Sequence, residues 1–363
     1  MNNSQMKLLD GWTMLHYAAS SGFDEIVRVF LHFKADMFVT DKKNWNPLHY
    51  AIIEGHLNVV RTYVHHDRGS LHHVENTGDT CLHLACTRNN TDIFDLICNE
   101  DVSLIDKCNR LNQSPLHSAA IHNCHDIAHQ LIERGANLNP CDEKGQTPLF
   151  LAVKNNSTAT IQILLQENAM IDNHSLFITV EKNDLDALKI LLRHMEGFQT
   201  LVNKRDDMGC TILHIAAQNG HRRVVKALLK EHPELLGKHD DARNTALHTA
   251  AEAGHVSVVK CLLMEKIEFN ARNRSKKSAL DLAALNGHLA IVQILVSKTE
   301  MTYESEVEIS DMLNTALQSA CESNQAKIVR FLLKKNADPS YIKDGTDYNA
   351  LDLALDNDAR YFT

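Results

Sequence analysis

The chain holds 22 histidines and nine cysteines, the side chains most often found on metals or in nucleophilic chemistry. The densest group is IHNCHDIAH, which crowds His122, Cys124, His125 and His129 into one short stretch. His125 and His129 are four apart and would share a helix face, an arrangement some zinc sites use. No carboxylate or third ligand stands at motif spacing, and a solvated helix face accounts for the pair, so no metal and no cofactor are assigned. His65-His66 and His72-His73 offer less. No GxSxG, P-loop or GxGxxG sequence occurs, and no spacing suggests a Cys/His dyad, so no catalytic residue is assigned. The cysteines (81, 86, 98, 108, 124, 141, 210, 261 and 321) form neither a CxxC pair nor a dense framework, which points to reduced thiols in a cytoplasmic setting.

Most of the remaining histidines recur at a fixed place. His16, His49, His83, His117, His214 and His248 each follow a leucine, and His56, His221, His255 and His288 each follow a glycine. Such recurrence belongs to an internal repeat rather than to one site. The marker leucines are Leu15, Leu48, Leu82, Leu116, Leu149, Leu176, Leu213, Leu247, Leu280, Leu317 and Leu351, spaced by 33, 34, 34, 33, 27, 37, 34, 33, 37 and 34 residues.

The chemistry around each marker specifies a pair of helices. Two residues before it stand Thr13, Asn46, Thr80, Ser114, Thr147, Thr211, Thr245, Ser278, Thr315 and Asn349, side chains that accept from free N–H groups of a first helical turn. In the sixth repeat His174 holds that place, with Ser175 as the substitute cap. Pro47, Pro115 and Pro148 follow their caps, where a missing N–H costs nothing. Seven residues after the marker come Gly22, Gly55, Asn89, Asn123, Asn156, Asn183, Gly220, Gly254, Gly287, Asn324 and Asp358, types that tolerate the left-handed backbone needed to end a helix and turn. Apolar pairs at helical spacing then mark a second helix, as in Val258-Val259 with Leu262-Leu263. Small residues at Ala18-Ala19, Ala119-Ala120, Ala216-Ala217 and Ala250-Ala251 let first helices approach closely.

The segments TMLHYA, NPLHYA, SPLHSA and TALHTA, at this period, resemble the helix-opening motif of the ankyrin family. The resemblance implies an all-α solenoid over 1–363, with ten full repeats, a truncated eleventh and β-hairpin-like fingers such as DEKGQT (142–147). It also implies structural hydrogen bonding for the recurrent histidines and a protein partner. The net charge of −9 lacks the basic excess that nucleic acid would require, and no run approaches 18 apolar residues, so no direct membrane insertion is expected of this chain. The candidate partner-binding residues are Trp12 and Trp45, each just before a cap, and Tyr17 and Tyr50 just inside the helices. Packing within the turns is the competing role for the tryptophans. Cys86 and Cys321 sit in the small-residue slot and should be buried, whereas Cys108, Cys141 and Cys210 lie near fingers and should be exposed.

Three departures stand out. The sixth repeat lacks a finger turn in AMIDNHSLF (169–177), so 166–208 is expected to be an irregular joint, either a bend or a degenerate repeat that still stacks normally. SKTEMTYESEVEISD (297–311) is expected to be an acidic, solvated loop. YNALDLALDND (348–358) opens an eleventh repeat that has no second helix, as though the natural protein continued. Finally, ACTRNN (85–90), TPLFLAVKNN (147–156) and NRSKKSALDLAALNGH (273–288) are similar to the N-terminal ankyrin array of ankyrin-type (TRPA) transient receptor potential channels. That resemblance implies a tetrameric sensory cation channel, with the array on the cytosolic side, touching its pore region and its tetramer mates. A soluble cytosolic adaptor binding a protein on its concave face is the alternative.

Overall fold

The computed structural model describes residues 11–194, 204–265, 267–303, 305–342, 349, 350 and 352. The first helices of the repeats are α1 (Met14–Ser20), α3 (Pro47–Ile53), α5 (Cys81–Thr87), α7 (Pro115–His122), α9 (Pro148–Lys154), α11 (Asn173–Glu181), α13 (Ile212–Gln218), α15 (Ala246–Glu252), α17 (Ala279–Leu285) and α19 (Glu306–Glu322). The second helices are α2 (Asp24–His32), α4 (Leu57–His66), α6 (Thr91–Glu100), α8 (His125–Glu133), α10 (Thr158–Gln166), α12 (Leu185–Arg193), α14 (Arg222–Glu231), α16 (Val256–Leu263), α18 (Leu289–Thr302) and α20 (Ala326–Lys334). The fold is all-α, and no strand occurs among the described residues.

The chain gathers into two compact units, Met1–Ile178 with Lys189–Met195, and Thr179–Leu188 with Glu196–Thr363. The division falls in the sixth repeat, which lacks a finger and carries Thr179 where the other nine first helices each carry an alanine. In the first unit α1, α3, α5, α7 and α9 pack in sequence, as do α2, α4, α6, α8 and α10. In the second, α13, α15, α17 and α19 do the same, and so do α14, α16, α18 and α20. Alanine pairs such as Ala119-Ala120 and Ala250-Ala251 are fully buried between first helices.

The fingers are turns closed by two backbone bonds, not hairpins of strands. Asp142 N–H donates to Gln146 O at 3.0 Å and Asp206 N–H to Cys210 O at 3.0 Å. The same aspartates accept a second pair of backbone N–H groups through their carboxylates, from Lys144 and Gln146 and from Met208 and Cys210. Where fingers follow one another they also bond, as Glu143 N–H does to Leu111 O at 3.0 Å and Asp241 N–H to Met208 O at 3.1 Å.

Two histidine ladders then tie repeat to repeat. In the first, the cap's backbone N–H points at an imidazole Nδ1, at 3.1 Å from Thr13 to His16 and 3.2 Å from Thr80 to His83. A backbone N–H can only donate, so Nδ1 is the acceptor and the proton sits on Nε2. Nε2 therefore donates to a carbonyl in the next repeat: His16 to Trp45 O (3.0 Å), His49 to His73 O (3.2 Å), His83 to Gln113 O (2.8 Å), His117 to Gln146 O (3.1 Å), His214 to Asn244 O (3.0 Å) and His248 to Lys277 O (3.2 Å). All six rings are fully buried.

The second ladder runs the other way. His56, His221, His255 and His288 donate through Nε2 to Ser20, Glu181, Gln218 and Glu252 O of the preceding first helix, at 2.7–2.9 Å, satisfying carbonyls a helix end leaves free. These rings lie against the turn residues, all of which have positive φ from Gly22 to Asn324. A Cβ on Gly254, at φ +82°, would stand 2.6 Å from the His288 ring.

Both irregular joints depart from expectation in instructive ways. Before α11 there is no finger, and the cap is Asp172 rather than His174 or Ser175. Its carboxylate accepts from Ser175 N–H at 2.6 Å and from the Thr147 hydroxyl at 3.0 Å. Residues 195–203 of the expected joint lie outside the described residues. The acidic stretch 297–311 is not a loop: α18 runs on to Thr302 and α19 starts at Glu306. It has neither Gly nor Pro, buries Thr299, and places Glu306 and Glu308 in the first turn of α19, where the helix dipole favours negative charge. Thr315, expected as a cap, is instead inside the helix and donates to Asp281 at 2.9 Å. Asp281 occupies the histidine slot of repeat nine, and its other oxygen accepts from the backbone N–H of its cap Ser278 at 2.7 Å. Of the eleventh repeat only Asn349, Ala350 and Asp352 are described; Asn349 and Asp352 exchange side chain-to-backbone bonds at 3.0 Å, and Asp358 lies outside.

Two outcomes follow. Gly135→Ala, at φ +87° with nothing near its Cβ, should cost about 1 kcal/mol by denaturant titration, whereas Gly254→Ala, which must also displace His288, should cost about 3 kcal/mol. Equal costs would remove the close approach from the argument. Burial lowers the His49 pKa to about 4, and lowers those of His83, His117, His214 and His248 in the same direction. The unfolded chain takes up these protons near pH 6.5, so stability is complete above that pH, falls as pH drops from there toward the folded values, and levels off below them. At pH 5 the loss for His49 alone is about 2 kcal/mol, given its folded value of about 4. A melting temperature unchanged between pH 7.5 and 5 would contradict this.

Candidate interaction site

The four aromatic candidates do not form one site. Trp12 and Trp45 pack against Tyr50, with ring centroids 4.5 and 5.1 Å from it. Trp12 Nε1–H donates to the Tyr50 hydroxyl at 3.3 Å, and that hydroxyl donates to Asp41 at 2.6 Å. Asp41 in turn accepts from the backbone N–H groups of Lys43 and Trp45 and so holds its finger. Burial pushes the Asp41 carboxyl up, but the bonds from Tyr50, Trp45 and Lys43 outweigh it and leave the pKa below the usual carboxylate range. The three half-buried rings therefore brace the first fingers. Tyr17 stands apart, 53% exposed, with its ring edge toward Phe23 at 6.3 Å.

Sequence reasoning missed how much apolar surface the first repeat exposes besides Tyr17. Met14, Phe23, Ile26, Val29 and Phe33 are all exposed on α1 and α2, whereas Val59, Ile93 and Ile127, which match Ile26 in later repeats, are fully buried. A signal was present: Phe23 stands in the slot that holds His56, His221, His255 and His288, residues whose task is to bond a preceding repeat. A recess of about 250 Å³ lies between two fingers and the first helices α7 and α9, lined by Leu111, Gln113, Ile121, Lys144, Leu151 and Lys154 among others. Its wall is held by Gln113 Nε2–H to Asp142 at 3.2 Å and Asn112 Nδ2–H to Cys141 O at 2.8 Å. Exposed Leu111 here, and Met208 on a finger of the second unit, present apolar tips.

The stretch 122–129 does not converge on a metal. Cys124 is buried and directs Sγ to Cys86 O, while His125 and His129 face Asp126 and Glu133 of their own helix at 3.5 Å. Among the described residues no group of three or more His, Cys, Asp or Glu could hold a metal ion. All nine cysteines are free; Cys86 and Cys321 are buried, Cys108 and Cys141 exposed and Cys210 half-buried. Burial raises the Cys108 thiol pKa and pushes that of Cys210 to about 11, the reverse of an activated nucleophile. Among the described residues no helix is long and apolar enough to cross a membrane.

Residues 1–70, 62–142, 82–175, 135–197, 172–236 and 233–306 match the family described as Ankyrin repeats (3 copies), and 312–344 match a single Ankyrin repeat. The chain is 28% identical over 260 residues to the human transient receptor potential cation channel subfamily A member 1, an alignment covering 69% of this chain and 20% of that one. It is 29% identical over 230 residues to the B-cell lymphoma 3 protein homolog of Mus musculus, covering 61% and 44%. Among solved structures the human ASB11 ankyrin repeat domain superposes with a TM-score of 0.52 at 26% identity, covering 59% of this chain and 97% of that domain.

The aromatic assignments separate by stability. Tyr50→Phe, which breaks the link from Trp12 to Asp41, should lower the unfolding free energy by about 1–2 kcal/mol, while Tyr17→Ala should stay within about 0.5 kcal/mol. A large loss at Tyr17 would place it in the packing instead.

Proposed function

The chain belongs to the ankyrin-repeat family, and from that premise we propose that it is a non-catalytic protein-interaction scaffold forming the cytoplasmic N-terminal region of a TRPA-type sensory cation channel. One observation carries the scaffold reading. The caps and finger carboxylates are consumed within their own repeats and both histidine ladders in bonding repeat to repeat, so the groups left for other molecules include the exposed apolar residues of the first repeat, the fingertips and the recess beside Leu111. Such surfaces suit a protein partner, whose aromatic and aliphatic anchors fill apolar recesses.

The channel reading rests on the 260-residue alignment with the human channel subunit, of which this chain covers a fifth. In this reading the partners are the pore region of the same polypeptide and its tetramer mates. The similarity to the B-cell lymphoma 3 homolog, at the same level of identity, favours the second reading, a soluble adaptor.

The source transcript separates the two. Six hydrophobic spans downstream of Thr363 are the expected result, and a stop codon directly after Thr363 would transfer the function to the adaptor. For the adaptor, the immobilised chain should capture a specific soluble protein, and Tyr17→Ala should weaken capture about tenfold. Unchanged capture would exclude that surface.

A further inference from the structure

The second helices of the two units differ sharply in charge. In a chain of net charge −9, α14, α16, α18 and α20 together carry nine Lys and Arg against two Glu. The helices α2, α4, α6, α8 and α10 carry two Arg against seven Asp and Glu. The basic row is thus a local property of the second unit.

A groove of about 570 Å³ is cut into that row between α16 and α18. Lys260 and Leu263 of α16, with Met264 just past its end, line one side, and Ile294, Lys298 and Met301 of α18 the other. It exists because α18 has 14 residues against eight in α16, so its last turns stand beyond the end of the neighbouring helix. Met264 and Met301 are 83% and 84% exposed, an unusual state for two methionines facing one recess. Lys260 and Lys298 have no ion-pair partner among the described residues, and the nearby Glu300 is taken by Lys335 at 2.7 Å.

We propose that this groove is a docking site for an acidic peptide segment that lies along α16 and α18 as an amphipathic helix. Its aliphatic side chains fill the space between the methionines, which adapt to irregular shapes, and its carboxylates meet Lys260 and Lys298. The lined face of α18, from Ala290 to Met301, is long enough for about three turns of such a helix. A lipid surface fits less well: none of α14, α16, α18 and α20 carries Trp or Tyr, the residues that anchor proteins at bilayer interfaces, and a recess admits single side chains rather than a plane. The site belongs to the second unit and shares no residue with the Tyr17 surface of the first, and it goes beyond the scaffold reading.

The test uses the full chain and a fluorescein-labelled peptide of about 12 residues, built of Glu with Leu at helical i, i+3, i+4 and i+7 spacing. Anisotropy should report binding that weakens about tenfold in Lys260→Glu/Lys298→Glu, and several-fold on raising salt from about 0.05 to 0.5 M. The same peptide with Lys for Glu should not bind, and Tyr17→Ala should leave the affinity unchanged. Equal binding of both peptides, or no effect of the charge reversal, overturns the proposal. So does binding to phosphatidylserine vesicles when the acidic peptide fails to bind. The melting temperature of each variant confirms that loss of binding is not loss of fold.

Discussion

A buried neutral imidazole must find a donor for one nitrogen and an acceptor for the other, and the regular repeats depend on that requirement. The ring at His16, His83 or His214 takes its donor from the cap of its own helix and its acceptor from the carbonyl of the next repeat. One side chain thereby fixes the helix start, the ring tautomer and the distance to the neighbour. Leaving either nitrogen unpaired in so dry a place costs more than the bond itself contributes, so cap, ring and finger must all be right together. The alanine pairs and apolar second helices supply the burial; the imidazole supplies the register.

The period, the caps and the turn residues were legible in the sequence because each answers a local demand. Ser and Thr hydroxyls suit a helix start, and Gly and Asn suit a left-handed turn, whatever lies elsewhere. What lay hidden was set by the neighbour. Thr315 looks like a cap and is a buried donor, because the partner it meets is Asp281. The acidic run 297–311 looks like a loop when read for charge alone, yet it has strong helix formers and no breaker, and its buried Thr299 is visible only in three dimensions. A sharper signal was available: repeats five and nine hold Phe150 and Asp281 in the histidine slot, and each is followed by a helix without a finger. Phe177 in repeat six breaks this rule, since a finger at 206–210 follows it.

The candidate surfaces were legible only in part. Trp12, Trp45, Tyr17 and Tyr50 are all aromatic near the helix starts, and nothing in their spacing separates three that brace a finger from one that projects. The groove beside Met264 and Met301 depends on the unequal lengths of α16 and α18, which the acidic composition of 297–302 does not reveal. Recognition in a repeat scaffold resides where the repeats are unequal, since the equal parts are occupied with one another.

The carboxylate of Asp281 bears on how such arrays are inherited. It accepts from the hydroxyl of Thr315, whereas a histidine in its place would donate to a finger carbonyl. Moved ahead of a fingered repeat, Asp281 would face a carbonyl with no proton between two acceptors. Moved ahead of the tenth repeat, a histidine would lose its carbonyl. Duplication or exchange that cuts between repeats separates these partners, whereas a crossover inside a repeat, between its cap and its slot, carries slot and acceptor together. The heritable module of this scaffold is the junction, and the repeat visible in the alignment is two half-junctions joined.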